Sequence, residues 1–228
     1  MLCAIAAAFS AVPCRAPTAA ANPTHAAAGV LFRLPGGGNQ LALTVDDGAS
    51  VSVVGAFAQF CQDTGTRLTF FVNGVKESWS VNAPALRPMV DSGQVQLANH
   101  TWSHPNLTHL GLDAVADQIR RNADFLRNTY GTDGTPYFRP PYGAHNAAID
   151  QVAADQGYTT ITMWTATLGD SAREDEASLL ANASRSFQPQ QIVLAHANLP
   201  AITHCFPQLI DLIRSRNLQT VTLKDVAA

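Results

Sequence analysis

The stretch LALTVDDGAS, Leu41 to Ser50, decides how the rest of the chain is read. Its first part, Leu41–Val45, is a short apolar run, the pattern of a strand buried on both faces. Asp46, Asp47 and Gly48 end that run, and helical spacing follows from Val51 to Asp63. A strand that ends in acidic side chains and leads at once into a helix is the building unit of a parallel α/β domain. In such domains ligands bind at the carboxyl ends of the strands, so the two carboxylates stand where chemistry is done. Adjacent like charges repel, and a bound cation would relieve the repulsion. The competing reading is that Asp46 only caps the helix that follows.

Outward from this unit the alternation repeats. Short apolar runs predict strands at Leu41–Val45, Leu68–Val72, Val95–Ala98, Tyr137–Arg139, Thr159–Trp164, Ile192–Ala195 and Thr220–Leu223. Between them, helical spacing predicts Val51–Asp63, Ala83–Ser92, Leu112–Tyr130, Asn146–Gln156, Glu174–Phe187 and Ala201–Ser215. Gly65, Gly93, Gly131 and Gly157 each fall just beyond a predicted helix, where a stop is expected. The pattern fits a barrel or an open parallel sheet.

The chain has 228 residues and a formal net charge of −3, with no block of like charges. That balance argues against nucleic acid as a partner. Residues 1–29 are Ala-rich, with an apolar stretch, Met1–Val12, too short to span a bilayer, and small residues at Ala19–Ala21. They are expected to be a signal-like or disordered leader, and residues 30–228 one folded domain placed outside the cell or at its envelope. Of the four cysteines, Cys3 and Cys14 fall in the leader. Cys61 and Cys205 are left either bridged or as two buried thiols. No C-x-x-C spacing occurs, which excludes the common thiolate zinc and redox motifs.

The segments after the strands carry the chemical groups: NHTWSHPNLTH, RPPYGAHN, TATLGDS and HANLP. His100 and His104 have H-x-x-x-H spacing, which on a helical turn brings both imidazoles to one face. With a carboxylate from Asp46 or Asp47 they make a two-histidine, one-carboxylate set that leaves coordination positions open. The second carboxylate is then free to act as a base. Trp102, between the two histidines, is expected beside the cleft.

The order TVDDG, NHTWSHPN, RPPYG, IVLAH resembles the polysaccharide deacetylase family, the NodB-homology domain of carbohydrate esterase family four. The resemblance runs from about Leu41 to Leu223 and matches four of five family motifs in order. It implies an α/β fold, a distorted (β/α) barrel of about seven parallel strands. It also implies a metal-dependent hydrolase that removes N-acetyl groups from N-acetylglucosamine-type polysaccharide, either peptidoglycan or chitin-like. Asp47, His100 and His104 are the implied metal ligands and Asp46 the catalytic base. Arg139 would orient that base. The Tyr142 backbone N–H would serve the oxyanion, and Leu194 would line the acetyl pocket. His196 would be the general acid, with Asp170 as its partner. The implied cofactor is a divalent cation, zinc first, with cobalt, nickel or manganese as alternatives. The partner is an acetylated glycan bound by a monomer with no membrane span.

The fourth segment departs from the family's Asp-x-x-Asp-Trp: Thr167 replaces the first Asp and Ser171 the Trp, while Asp170 is kept. Ala49 stands where the family often has Pro. The Thr167 and Ser171 changes predict an altered substrate range, and the change at Ala49 is of less consequence. An O-acetyl glycan esterase would use the same groups, and a catalytically impaired glycan-binding protein is a third reading. A two-histidine, one-carboxylate iron oxygenase would need a different motif order and an all-β fold.

Overall fold

The buried run Leu41–Asp46 lies inside a single parallel sheet. The computed structural model describes residues 29–171 and 175–226. In chain order the elements are β1 (Gly29–Leu31), β2 (Gln40–Asp47), α1 (Val51–Thr64), β3 (Leu68–Val72), α2 (Glu77–Val81) and α3 (Ala83–Asp91). Next come β4 (Val95–Asn99), α4 (Leu112–Tyr130), β5 (Tyr137–Phe138), α5 (Ala147–Ala154), β6 (Thr160–Thr162) and β7 (Ala166–Thr167). The chain ends with α6 (Glu176–Ser186), β8 (Ile192–His196), α7 (Ala201–His204), α8 (Phe206–Ser215) and β9 (Gln219–Thr220).

The sheet order is β1-β6-β5-β4-β3-β2-β8-β7, with β9 added at the start of β2, and every strand pair is parallel. The sheet curls into a half-barrel with helices outside it. Its two edges approach each other through irregular chain. Leu34 donates its N–H to the Gln190 carbonyl at 3.1 Å, and Arg33 bridges Gln191. Residues Met163 to Thr165 carry the chain from β6, one strand in from the β1 edge, to β7 at the opposite edge. The barrel is therefore distorted, and its carboxyl end stays open as a cleft.

Local chemistry accounts for the helices that brace this sheet. Ser50 caps α1 by accepting the Val53 N–H, and Gly65 ends it in the left-handed region at φ 72. The inner face of α1 buries Val53, Val54, Phe57 and Cys61. Phe57 meets Phe70 and Phe206 edge-on, and full burial of such a ring is worth about 1.5–3 kcal/mol. In α4 the stripe Val115, Ile119, Asn122, Leu126, Tyr130 faces inward, and it includes one polar residue. Asn122 bonds the Val72 carbonyl at 2.7 Å, Asn99 Oδ1 at 2.9 Å and the Gly74 N–H at 2.7 Å. That amide ties the carboxyl ends of β3 and β4 together beneath the cleft.

The structure differs from the sequence reading at several elements, among them the last predicted strand, Thr220–Leu223, which forms only as Gln219–Thr220. Strands β1 and β7 were not expected, and neither was α2. The predicted helix Ala201–Ser215 is two helices broken at Cys205, because Pro207 starts a new first turn. The segment carrying His100 and His104 is a loop, not a helical turn. Cys61 and Cys205 are both buried free thiols, and burial pushes the Cys61 thiol up to about 12. The leader through residue 28, with Cys3 and Cys14, and the first residue of the predicted Glu174–Phe187 helix lie outside the described residues. Among the described residues no helix is long and apolar enough to cross a membrane.

Candidate active site

Register brings the site together. In the β2–β8 pairing Asp46 lies opposite His196, and in the β2–β3 pairing Asp47 lies opposite Val72. His100 and His104 follow β4, and Arg139 follows β5 directly. All of these ends open into one cavity of about 510 Å³. It is lined by Asp46, Asp47, His100, His104, Leu194 and His196, with Tyr142, Trp164, Thr167 and Ser171 on its walls.

Asp47, His100 and His104 converge without a helix. Backbone in the left-handed region does the work instead: φ is 73 at Asp47, 72 at Thr101 and 61 at His104. Non-glycine residues reach that region only at a cost, which neighbouring contacts must offset, and such residues gather at functional sites. Here Trp79 donates its indole N–H to the Asp47 carbonyl at 2.9 Å, and the His104 N–H bonds Thr101 Oγ1 at 3.1 Å. Asn73, buried, donates its amide to the His100 and Thr101 carbonyls.

The donor atoms fit a cation. His100 Nε2 is 3.4 Å and His104 Nε2 3.3 Å from Asp47 Oδ1. One donor atom from each residue lies within 4.8 Å of the others. His100 Nδ1 lies 2.6 Å from the Arg139 carbonyl. A carbonyl can only accept, so Nδ1 carries the hydrogen and Nε2 turns its lone pair to the cavity. Asp47 Oδ1 is buried yet has no hydrogen-bond partner, as a ligand oxygen waiting for a cation would be. Imidazole and carboxylate donors of this kind suit several divalent ions.

The three groups are shifted in different directions. Burial alone would raise the Asp47 carboxyl; the nearby His100 and His104 imidazoles and the Asn198 amide hold it well below the usual carboxylate range. Burial and the neighbouring His100 pull His104 down to about 4. His104 is thus an unprotonated nitrogen at neutral pH. Burial would lower His100 too, but the Asp46 and Asp47 charges outweigh it and its pKa is raised.

Asp46 is held differently. Its Oδ1 accepts from Arg139 Nη1 at 2.7 Å, while Oδ2 lies 3.5 Å from His100 Nε2. Arg139 is wholly buried, and its other hydrogens go to Thr44 Oγ1 at 2.9 Å and to the Thr162 and Met163 carbonyls at 3.0 and 3.1 Å. Its guanidinium lies over the Phe71 ring at 4.1 Å. On the other wall, Asp170 grips His196 twice: Oδ1 is 2.9 Å from Nδ1 and Oδ2 accepts the His196 backbone N–H at 2.8 Å. Burial would lower His196, but the Asp170 bond and the Asp46, Asp170 and Asp47 charges outweigh it, so its pKa is raised.

Of the residues expected at the site, all but one gather around this cavity. Leu194 lines it, and the Tyr142 ring, 69% exposed, stands at the rim against His104 at 4.5 Å. Trp102 does not join them. It turns away to pack on Phe125 and under Arg121. Asn198 was missed: it lines the cavity and donates to Asp47 Oδ2 at 2.7 Å. Its segment HANLP was in view, but a lone Asn two residues past a histidine carries no motif.

The chain is similar to known proteins over much of its length. The family described as polysaccharide deacetylase matches residues 33–161, more than half of the chain. A bifunctional xylanase/xylan deacetylase of Cellvibrio japonicus is 29% identical over 154 residues, 68% of this chain and 22% of that protein. A peptidoglycan-N-acetylglucosamine deacetylase of Bacillus cereus is 24% identical over 188 residues, 81% of this chain and 66% of that protein. The chain thus spans less than two thirds of these relatives' length. A CE4 family pseudoenzyme of Bacillus anthracis superposes with a TM-score of 0.76 at 21% identity, covering 87% of this chain and 68% of that one, which shows the fold alone. With the sequence match, the fold and the geometry of the cavity in accord, the chain belongs to the polysaccharide deacetylase family.

Proposed function

We propose that the protein is a metal-dependent hydrolase that removes N-acetyl groups from an N-acetylglucosamine-type polysaccharide, peptidoglycan or a chitin-like polymer. One observation carries this reading. Asp47 Oδ1, buried without a hydrogen-bond partner, faces two imidazole nitrogens at 3.3–3.4 Å in the same cavity as an Arg-bound carboxylate and an Asp-bound histidine. The Asp47–His100–His104 set would hold zinc, or another divalent ion that accepts imidazole and carboxylate ligands.

Such an ion supplies Lewis acidity, lowering the pKa of water and polarising the acetyl carbonyl. The remaining work belongs to the side chains. Asp46, with one oxygen fixed by Arg139, has Oδ2 free to take the proton of the attacking water. The carbonyl carbon gains a C–O bond, and its oxygen gains negative charge. The Tyr142 backbone N–H is our assignment for a donor to that oxygen, and such a donor is typically worth about 3 kcal/mol. The C–N bond then breaks. Nitrogen leaves poorly as an anion, so His196, with Nδ1 held by Asp170, delivers a proton from Nε2. Acetate and a free amine result. Leu194 gives the acetyl methyl an apolar wall.

A second reading is removal of O-acetyl groups from a xylan-type glycan. It is favoured by the Cellvibrio japonicus relative and by Thr167 and Ser171, which give the wall next to His196 small hydroxyl side chains. The test is acetate release measured in parallel from N-acetylglucosamine oligomers, peptidoglycan and acetylated xylan. Release from the first two and little from xylan supports the amide reading. The reverse pattern replaces it with the ester one. Export is also our proposal, resting on the apolar leader, and recovery of the protein outside cells tests it.

A further inference from the structure

We propose that Asn198 is a positioning residue that selects which oxygen of Asp47 meets the cation. The inference rests on the metal-site reading above, and it starts from the two oxygens being treated differently. Oδ1 lies 3.4 Å from His100 Nε2 and 3.3 Å from His104 Nε2, with no hydrogen bond of its own. Oδ2 accepts from Asn198 Nδ2 at 2.7 Å. One oxygen is reserved and the other is occupied.

The direction of the Asn198 amide is itself settled by a neighbour. Its Oδ1 accepts the Ala49 backbone N–H at 2.9 Å. A backbone N–H can only donate, so the oxygen must face Ala49 and the NH₂ must face Asp47. A flipped amide would put an oxygen against the carboxylate and leave the Ala49 N–H facing a donor. The backbone alongside is stitched in the same way. Ala197 donates to the Asp46 carbonyl at 3.0 Å and accepts the Ser50 N–H at 3.2 Å. Together with the two amide bonds, the end of β8 and the turn after β2 form a closed clamp around Asp47.

That clamp gives meaning to a departure in the sequence. Proline, the residue the family often has at position 49, carries no N–H and could not hold the Asn198 oxygen. Ala49 and Asn198 thus work as a pair. The need is physical: a carboxylate with one free oxygen can swing to present both to a cation, and a left-handed backbone at φ 73 does not stop it. A bond to Oδ2 does. Outer partners of this kind typically change metal affinity by roughly 10–100-fold.

The experiment uses the full-length protein stripped of metal. Zinc affinity is measured by competition with a chromophoric chelator for the wild type, Asn198→Ala and Asn198→Ser, neither of which can reach Asp47. Cobalt(II) absorption spectra and the thermal midpoint without metal are recorded for each. We expect zinc affinity to fall about ten-fold or more in both variants. The cobalt bands should also shift as Asp47 changes its mode of binding. If Asn198→Ala does not fold, Asn198→Ser carries the test alone. Zinc affinity within about two-fold of wild type, well short of the usual effect of such a partner, and an unchanged cobalt spectrum would overturn the inference, leaving Asn198 as a brace of the turn. A wild type that binds neither ion would instead overturn the metal-site reading on which it rests.

Discussion

Arg139 Nη1 lies 2.7 Å from Asp46 Oδ1, and both side chains are shut off from water, at 0% and 4% exposure. A buried pair of this kind does not add stability by attraction alone, because removing two charges from water is costly. What it does is hold Asp46 to one orientation. Thr44, two residues earlier on β2, accepts a second hydrogen from the same Arg139 nitrogen. The proposed base therefore cannot turn away without leaving an unpaired buried cation behind.

Arg139→Met should accordingly cost far more than loss of a surface charge. It strands the Asp46 carboxylate in a buried site, and breaking such a pair typically costs about 3–5 kcal/mol. Denaturant unfolding should show the loss, and deacetylation should fall with it. A midpoint within experimental error of wild type would mean the pair does not hold the base.

Asp170→Asn should move the alkaline limit of activity downward. In the folded protein the His196 pKa is raised above 6.5, with the Asp170 bond and nearby carboxylates overcoming burial. A raised pKa contributes stability fully present below about 6.5 and lost as pH climbs through the folded value. The same proton is the one His196 must deliver, so turnover should fall over that upper window. The substitution removes the Asp170 charge, and a kcat–pH profile should show the falling limb at lower pH. An unmoved limb would take His196 out of the acid role.

Gly48→Ala should damage the site from behind. Gly48 has φ 88, and an added Cβ would sit 2.5 Å from the Trp79 ring. Trp79 is the residue whose N–H holds the Asp47 carbonyl. Left-handed strain and overpacking each cost roughly 1–3 kcal/mol. Thermal stability and zinc affinity should both fall, and a variant normal in both would show that the turn has slack.

Ser171→Trp should restore bulk to the cleft wall. Ser171 and Thr167 both face the cavity. Filling that side should change the ratio of turnover between N-acetyl and O-acetyl substrates by about ten-fold or more. A ratio that stays put would show that this wall does not touch substrate.

Much of this was legible in the sequence, and the gaps have physical causes. The Leu112–Tyr130 helix carries a long apolar stripe and a glycine stop, and it forms with those bounds. Asp46, Asp47, Arg139 and His196 were legible because each ends or follows a short apolar strand, so topology alone sends them to one end. β1 and β7 were not, since three- and two-residue strands owe their form to Thr160–Thr162 and Val193–Leu194 beside them. The H-x-x-x-H spacing was read as a helical turn, and the two histidines come together by a different geometry. His100 and His104 meet through left-handed turns at Thr101 and His104, which no periodicity announces. Trp102, between them, packs on Phe125 instead of lining the cavity. Asn198 was invisible because its role lies in two hydrogen bonds to residues about 150 positions away.

The central claim is that Asp47, His100 and His104 hold a cation beside a base, Asp46. It is tested most directly by acetate release from N-acetylglucosamine oligomers with metal-stripped protein, zinc-reconstituted protein and zinc-reconstituted Asp46→Asn. The account predicts release only from the reconstituted wild type, with Asp46→Asn still binding zinc but turning over at least about a hundred-fold more slowly. Release that survives metal stripping, or that survives Asp46→Asn, would contradict it.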